Sequence, residues 1–118
     1  MIFLIEDEPD IRESLREVLE MEGYEVSCAS NGFEATELLR DLPTPELILL
    51  DMLMPVMNGK EFRAWQLDVP RLKSVPVIVL SADPSQKELD GILHLQKPVD
   101  LGELLSAVKN STLKDQPA

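Results

Sequence analysis

Four apolar runs in this chain each stop abruptly at a polar residue, and that pattern constrains its fold more than any other feature. Ile2-Phe3-Leu4-Ile5 stops at Glu6-Asp7, and Leu47-Ile48-Leu49-Leu50 stops at Asp51. Val77-Ile78-Val79-Leu80 stops at Ser81, and the weaker run Ile92-Leu93-His94-Leu95-Gln96 stops at Lys97-Pro98. Continuous runs, unlike alternating ones, are typical of parallel strands covered on both faces. If these are parallel strands of one sheet, all four endings lie along one edge. Three carboxylates, a hydroxyl and an ammonium then surround a single point.

The segments between the runs carry helical spacing. Pro9-Asp10 opens a first helix with Ile11, Leu15, Val18 and Leu19 on one face, and Gly23 stands where a C-terminal cap belongs. Tyr24-Glu25-Val26-Ser27-Cys28 alternates as an edge strand does. Asn31-Gly32 leads into a second helix with Ala35, Leu38, Leu39 and Leu42 on its apolar face, and Pro43-Thr44-Pro45 ends it. A third helix starts at Asn58 or Gly59, carries Phe62, Trp65 and Val69, and stops at Pro70. Asp100-Leu101-Gly102-Glu103 has the spacing of a capping box, and Leu101, Leu104, Leu105 and Val108 line the last helix. Strands alternating with helices predict a doubly wound α/β fold, a five-stranded parallel sheet with right-handed crossovers. Residues 1–114 are read as one domain and 115–118 as a tail.

Composition narrows the function. A chain of 118 residues has room for one core. Its formal net charge of -11 opposes binding to nucleic acid or an anionic membrane through overall charge. A single cysteine, Cys28, precludes an internal disulfide and reads as a small buried residue near a strand end. No apolar stretch approaches the roughly 20 residues that span a bilayer, and no signal peptide is visible. A cytoplasmic protein is expected.

The polar strand endings carry the chemistry. Ligands of open α/β sheets gather outside the carboxyl ends of the strands. Mg²⁺ takes hard oxygen ligands in octahedral geometry, typically one or two carboxylates with phosphate oxygens and waters. Asp7 and Asp51 suit direct ligation with a backbone carbonyl just after Asp51, and Glu6 suits ligation directly or through water. The acidic triplet Glu6-Asp7-Glu8 alone has a plainer reading, as negative charge near a helix N-terminus. Carboxylates are also nucleophiles that form aspartyl-phosphates. Lys97, and Ser81 with nearby backbone N–H groups, would then meet phosphoryl oxygens. Taken singly, Lys97 reads as a solvated lysine and Ser81 as a turn former; their joint placement gives them roles.

Together these residues resemble the receiver domain of two-component response regulators. The resemblance runs from Ile2 to about Leu113. It rests on Glu6-Asp7, Asp51 with Met54-Pro55 and Gly59, Ser81-Ala82 and Lys97-Pro98, in that order, with 44 positions from Asp7 to Asp51 and 30 from Asp51 to Ser81. It implies a flavodoxin-like sheet of order 2-1-3-4-5. It implies phosphorylation of Asp51 from a phosphohistidine on a sensor histidine kinase or histidine phosphotransfer protein, as in a phosphorelay. Direct Mg²⁺ ligands would be Asp7, Asp51 and the Leu53 carbonyl. Ser81 and Lys97 would bind the phosphoryl group, and Ala82 would leave its oxygens accessible. Position 94, usually an aromatic switch residue, is His94; it either swings inward with Ser81 on phosphorylation or stays passively exposed. Such a domain assists its own phosphorylation and dephosphorylation and is not a turnover enzyme. Its other partners would be an unknown downstream protein and a second copy of the chain as a homodimer, without nucleic acid or membrane.

Only ten residues separate Ser81 from Ile92, close to the minimum of about 10–12 for a parallel crossover. A shortened or irregular fourth helix is therefore expected between the fourth and fifth strands. Three other functions compete. A degenerate receiver would dock partners without phosphorylation, but Asp7, Asp51, Ser81 and Lys97 are all present. A phosphatase using Asp51 as nucleophile would commonly place an acid two residues on, where Leu53 stands. A flavin module needs a Gly- or Ser/Thr-rich first loop for its phosphate, and Glu6-Asp7-Glu8 would repel it.

Overall fold

The computed structural model describes residues 1–52, 57–82 and 92–113. Within them the strands are β1 (Ile2–Ile5), β2 (Val26–Ala29), β3 (Leu47–Asp51), β4 (Val77–Ser81) and β5 (Leu93–Gln96). The helices are α1 (Pro9–Met21), α2 (Gly32–Leu39), α3 (Gly59–Leu67) and α4 (Leu101–Leu113). All strand pairs are parallel, and the sheet order is β2-β1-β3-β4-β5. The doubly wound, flavodoxin-like expectation is met. The helix expected between β4 and β5 falls in residues 83–91, outside the described residues, so the label α4 belongs here to the last helix. Leu53 and the tail 115–118 also lie outside them.

Successive side chains of a strand point to opposite faces. Phe3, Ile5, Ile48, Leu50 and Val79 face one way and pack with Ala35 and Leu39 of α2 and Phe62 of α3. Ile2, Leu4, Leu47, Leu49 and Leu80 face the other way, against Leu15 and Leu19 of α1 and Leu104 and Val108 of α4. Every residue of β1, β3 and β4 is buried, which explains why their sequences do not alternate. Burying each large aliphatic side chain contributes about 1.5–3 kcal/mol. β2 and β5 are partly exposed, as edge strands are.

Helix ends follow the cap signals. Gly23, beyond α1, has φ +93°, a conformation that glycine alone adopts at no steric cost. Asn58 and Glu61 form a complete capping box at α3. At α4 the Glu103 amide donates to Asp100 Oδ1 at 2.9 Å.

Two expected core positions are exposed instead: Leu38 at 38% and Leu101 at 46%. In α2 the buried residues are Gly32, Ala35, Thr36 and Leu39. At about 100° per residue Leu38 falls outside that arc. Leu101 is the first residue of α4, ahead of the turns that meet the sheet. Cys28 is half-buried on β2, and burial raises the pKa of its thiol.

One polar side chain secures the α3–β4 connection. Gln66 is fully buried. Its Nε2 donates to the carbonyls of Leu72 (2.9 Å) and Val75 (3.1 Å), and its Oε1 accepts from Arg63 (2.8 Å). Gln66→Leu would leave two buried carbonyls without that donor. We expect it to cost about 2–3 kcal/mol in urea unfolding; a loss below about 0.5 kcal/mol would contradict this role.

Candidate functional site

Register brings the site together. Ile5 lies opposite Leu50, Asp51 opposite Leu80, and Ser81 opposite Gln96. Glu6 therefore emerges beside Asp51, and Lys97 beyond Ser81. The Lys97 amide donates to the Ser81 carbonyl at 2.8 Å, which extends the β4–β5 pairing by one residue. Glu6 continues the alternation of Ile2 and Leu4, Asp51 that of Leu47 and Leu49, and Lys97 that of Leu95. All three thus follow the face covered by α1 and α4.

Glu6 is fully buried and held at every polar atom. Its amide donates to the Ala29 carbonyl (3.1 Å) and its carbonyl accepts from Arg12 Nη1 (2.9 Å). Its Oε2 accepts from the Glu8 amide (3.2 Å). Its Oε1 lies 2.7 Å from Lys97 Nζ, an ion pair and not an aligned hydrogen bond. The same ammonium lies 3.4 Å from Asp51 Oδ1. One carboxylate oxygen from each of Glu6, Asp7 and Asp51 lies within 4.8 Å of the other two. Gly59 lets α3 start against Asp51: a Cβ there would stand 2.8 Å from Met52 Sδ and 3.0 Å from the Asp51 carbonyl.

Three carboxylates facing one ammonium shift one another's titration. Burial, then hydrogen bonds with Glu6 and Asp7 and the charge of Glu6, push Asp51 up to about 8 against the pull of Lys97. Burial also opposes the charge on Asp7, but hydrogen bonds with Asp51, Glu6 and its own backbone, with the Lys97 charge, hold it below the usual carboxylate range. Burial favours the neutral Lys97 amine, yet Glu6 and Asp51 outweigh it and raise its pKa. An all-oxygen donor set short of positive charge fits a hard divalent cation such as Mg²⁺.

Glu6, Asp7, Asp51 and Lys97 thus meet as the sequence suggests. Ser81 reaches the same edge through its backbone, with its side chain buried on the alternation of Val77 and Val79. His94 is half-buried on the edge strand β5, opposite Val79. Arg12 was not singled out from sequence. Its signal was a cation in the first turn of a helix, where the dipole disfavours one. The Lys97–Pro98 peptide is cis, which sequence alone did not establish.

A family model for the response regulator receiver domain matches residues 2–109. The chain belongs to that family. It is 36% identical over 116 residues to sporulation initiation phosphotransferase F of Bacillus subtilis, covering 92% of this chain and 90% of that one. The receiver domain of a signal transduction histidine kinase from Syntrophus aciditrophicus superposes with a TM-score of 0.88 at 34% identity, covering 99% of this chain and 92% of the other. Response regulator TrrA of Thermotoga maritima, solved in complex with Mg²⁺-BeF, gives a TM-score of 0.80 at 31% identity, covering 93% and 96%. Receiver domains are signalling modules of two-component systems and bind Mg²⁺ at an acidic pocket. Among the described residues no helix is long and apolar enough to cross a membrane.

The raised pKa of Asp51 predicts a pH-dependent stability in metal-free buffer. A carboxyl whose pKa rises from 3.8 unfolded to about 8 folded favours the native state most below pH 4. That contribution is lost as pH rises through about 8. Asp51→Asn is therefore expected to be more stable than the parent at pH 8, by about 2 kcal/mol or several degrees in Tm, with the gap closing toward pH 4. Thermal unfolding across that range checks it; a gap independent of pH would count against the charge imbalance.

Proposed function

We propose that Asp51 accepts a phosphoryl group from a phosphohistidine on a histidine kinase or histidine phosphotransfer partner. The phosphorylated domain then changes its binding to a downstream protein or to a second copy of itself. The observation that carries this reading is a nearly fully buried carboxylate at the sheet edge, with two more carboxylates within 4.8 Å and an ammonium at 3.4 Å.

In the transfer an Asp51 carboxylate oxygen forms the new P–O bond while the P–N bond to the histidine breaks. The electron pair of that bond stays on the imidazole nitrogen. Such transfer needs chiefly positioning and charge. Lys97, 3.4 Å from Asp51, would meet one phosphoryl oxygen once it leaves Glu6, and the Ser81 hydroxyl would donate to another. Glu6, Asp7 and Asp51 would hold Mg²⁺, with the Leu53 carbonyl that the family resemblance assigns. When bound, the cation supplies positive charge against the phosphoryl oxygens. Later attack by water on phosphorus would release phosphate and restore the Asp51 carboxylate.

Readout would run through Ser81 and His94. Val79 pairs with His94 and Ser81 with Gln96, so Ser81 and His94 share one face of adjacent strands. A Ser81 hydroxyl drawn to a phosphoryl oxygen would alter the space open to the imidazole.

Intact-mass measurement after incubation with Mg²⁺ and acetyl phosphate is expected to show one added phosphoryl group, absent in Asp51→Asn. Lys97→Ala should slow the gain about tenfold or more. No gain from acetyl phosphate or from a phosphorylated kinase would overturn the reading in favour of phosphorylation-independent docking.

A further inference from the structure

We infer that Arg12 is a positioning residue for the cation site, acting through the backbone of Glu6 and not through its charge. This rests on the proposed cation site at Glu6, Asp7 and Asp51.

The Glu6–Asp7 peptide is the hinge on which two of the three carboxylates hang. On its near side the Glu6 amide is fixed to the Ala29 carbonyl of β2 at 3.1 Å. Beyond the end of β1, neither β2 nor β3 offers a ladder bond to the Glu6 carbonyl. Arg12 Nη1 takes that place at 2.9 Å. Arg12 lies in the first turn of α1, and its own amide donates to the Glu8 carbonyl at 2.9 Å. Glu8 in turn donates its amide to Glu6 Oε2 at 3.2 Å. Glu6, Glu8 and Arg12 therefore close a ring that spans the strand-to-helix turn. The ring fixes the peptide plane between Glu6 and Asp7, and with it the directions in which both side chains leave the backbone.

A helix N-terminus is an unfavourable place for a cation. The carboxylates of the cation site, by contrast, attract a guanidinium as they would a metal ion. Arg12 is thus opposed by the helix dipole and drawn by the nearby carboxylates, so charge alone does not choose its partner. The hydrogen bond it directs to the Glu6 carbonyl is what fixes its partner. Groups that orient ligands from outside the coordination shell commonly change metal affinity by about tenfold or more when removed.

Charge and positioning predict opposite signs. If Arg12 acted only as a charge, its removal would relieve repulsion and tighten cation binding. If it positions the turn, removal loosens binding. The test is Mg²⁺ titration by calorimetry, with Mn²⁺ titration by electron paramagnetic resonance as a second probe, on the unphosphorylated protein. Arg12→Met keeps the stem and removes both donor and charge; we expect affinity for both ions to fall about five- to tenfold. Arg12→Lys keeps a donor and the charge and should recover most of that loss. Thermal unfolding of both variants identifies any general loss of fold. Unchanged or tighter binding in a folded Arg12→Met overturns the inference while leaving the cation site standing. Absence of binding in the parent protein overturns the cation site itself, and this inference with it. Should Arg12→Met not fold, equal affinity in Arg12→Lys and Arg12→Gln, two folded variants differing in charge, supports positioning, and tighter binding in Arg12→Gln overturns it.

Discussion

Three carboxylates and one ammonium share the carboxyl edge of this sheet, and the imbalance between them governs the rest of the site. At the effective dielectric of a protein surface, unit charges about 4 Å apart interact by about 4 kcal/mol. Glu6, Asp7 and Asp51 crowd within that range, and Lys97 answers only part of their charge. Such an arrangement persists because the surrounding core is strong enough to impose it. Two apolar layers clamp β1, β3 and β4 from both faces, so their ends cannot splay apart to relieve the repulsion. The domain holds its charges in a state that a divalent cation would relieve.

Lys97 mediates that balance, and its position is a backbone matter. The bond from its amide to the Ser81 carbonyl fixes where its side chain starts. From there the ammonium reaches Glu6 more closely than Asp51. It is shared between the Glu6 carboxylate and the carboxylate that the proposed function would have modified.

Much of this was legible in the sequence, for a physical reason. Strands buried on both faces must be continuously apolar, so a carboxylate directly after such a run marks the sheet's edge. Asp51 and the Glu6-Asp7 pair were found that way, and Lys97 at the end of the weaker run from Ile92. The strand order was not written in periodicity; it came with the family resemblance. Leu38 and Leu101 have helical spacing but lie outside the buried arcs, because spacing alone does not say how wide an arc the sheet covers. Gln66 and Arg12 were illegible for another reason. Both are polar residues whose partners are backbone carbonyls six or more positions away, and no side-chain pattern records such a partner.

The pairing of β3 with β4 limits the form a signal can take. A shift of one residue between neighbouring strands would turn every side chain of one strand to the opposite face. Here that would exchange two complete apolar layers, a cost far above what a single phosphoryl group supplies. Ser81 cannot slide along the sheet. Under the proposed function, a message leaving Asp51 would travel as reorientation at the strand ends, over a sheet that acts as fixed ground.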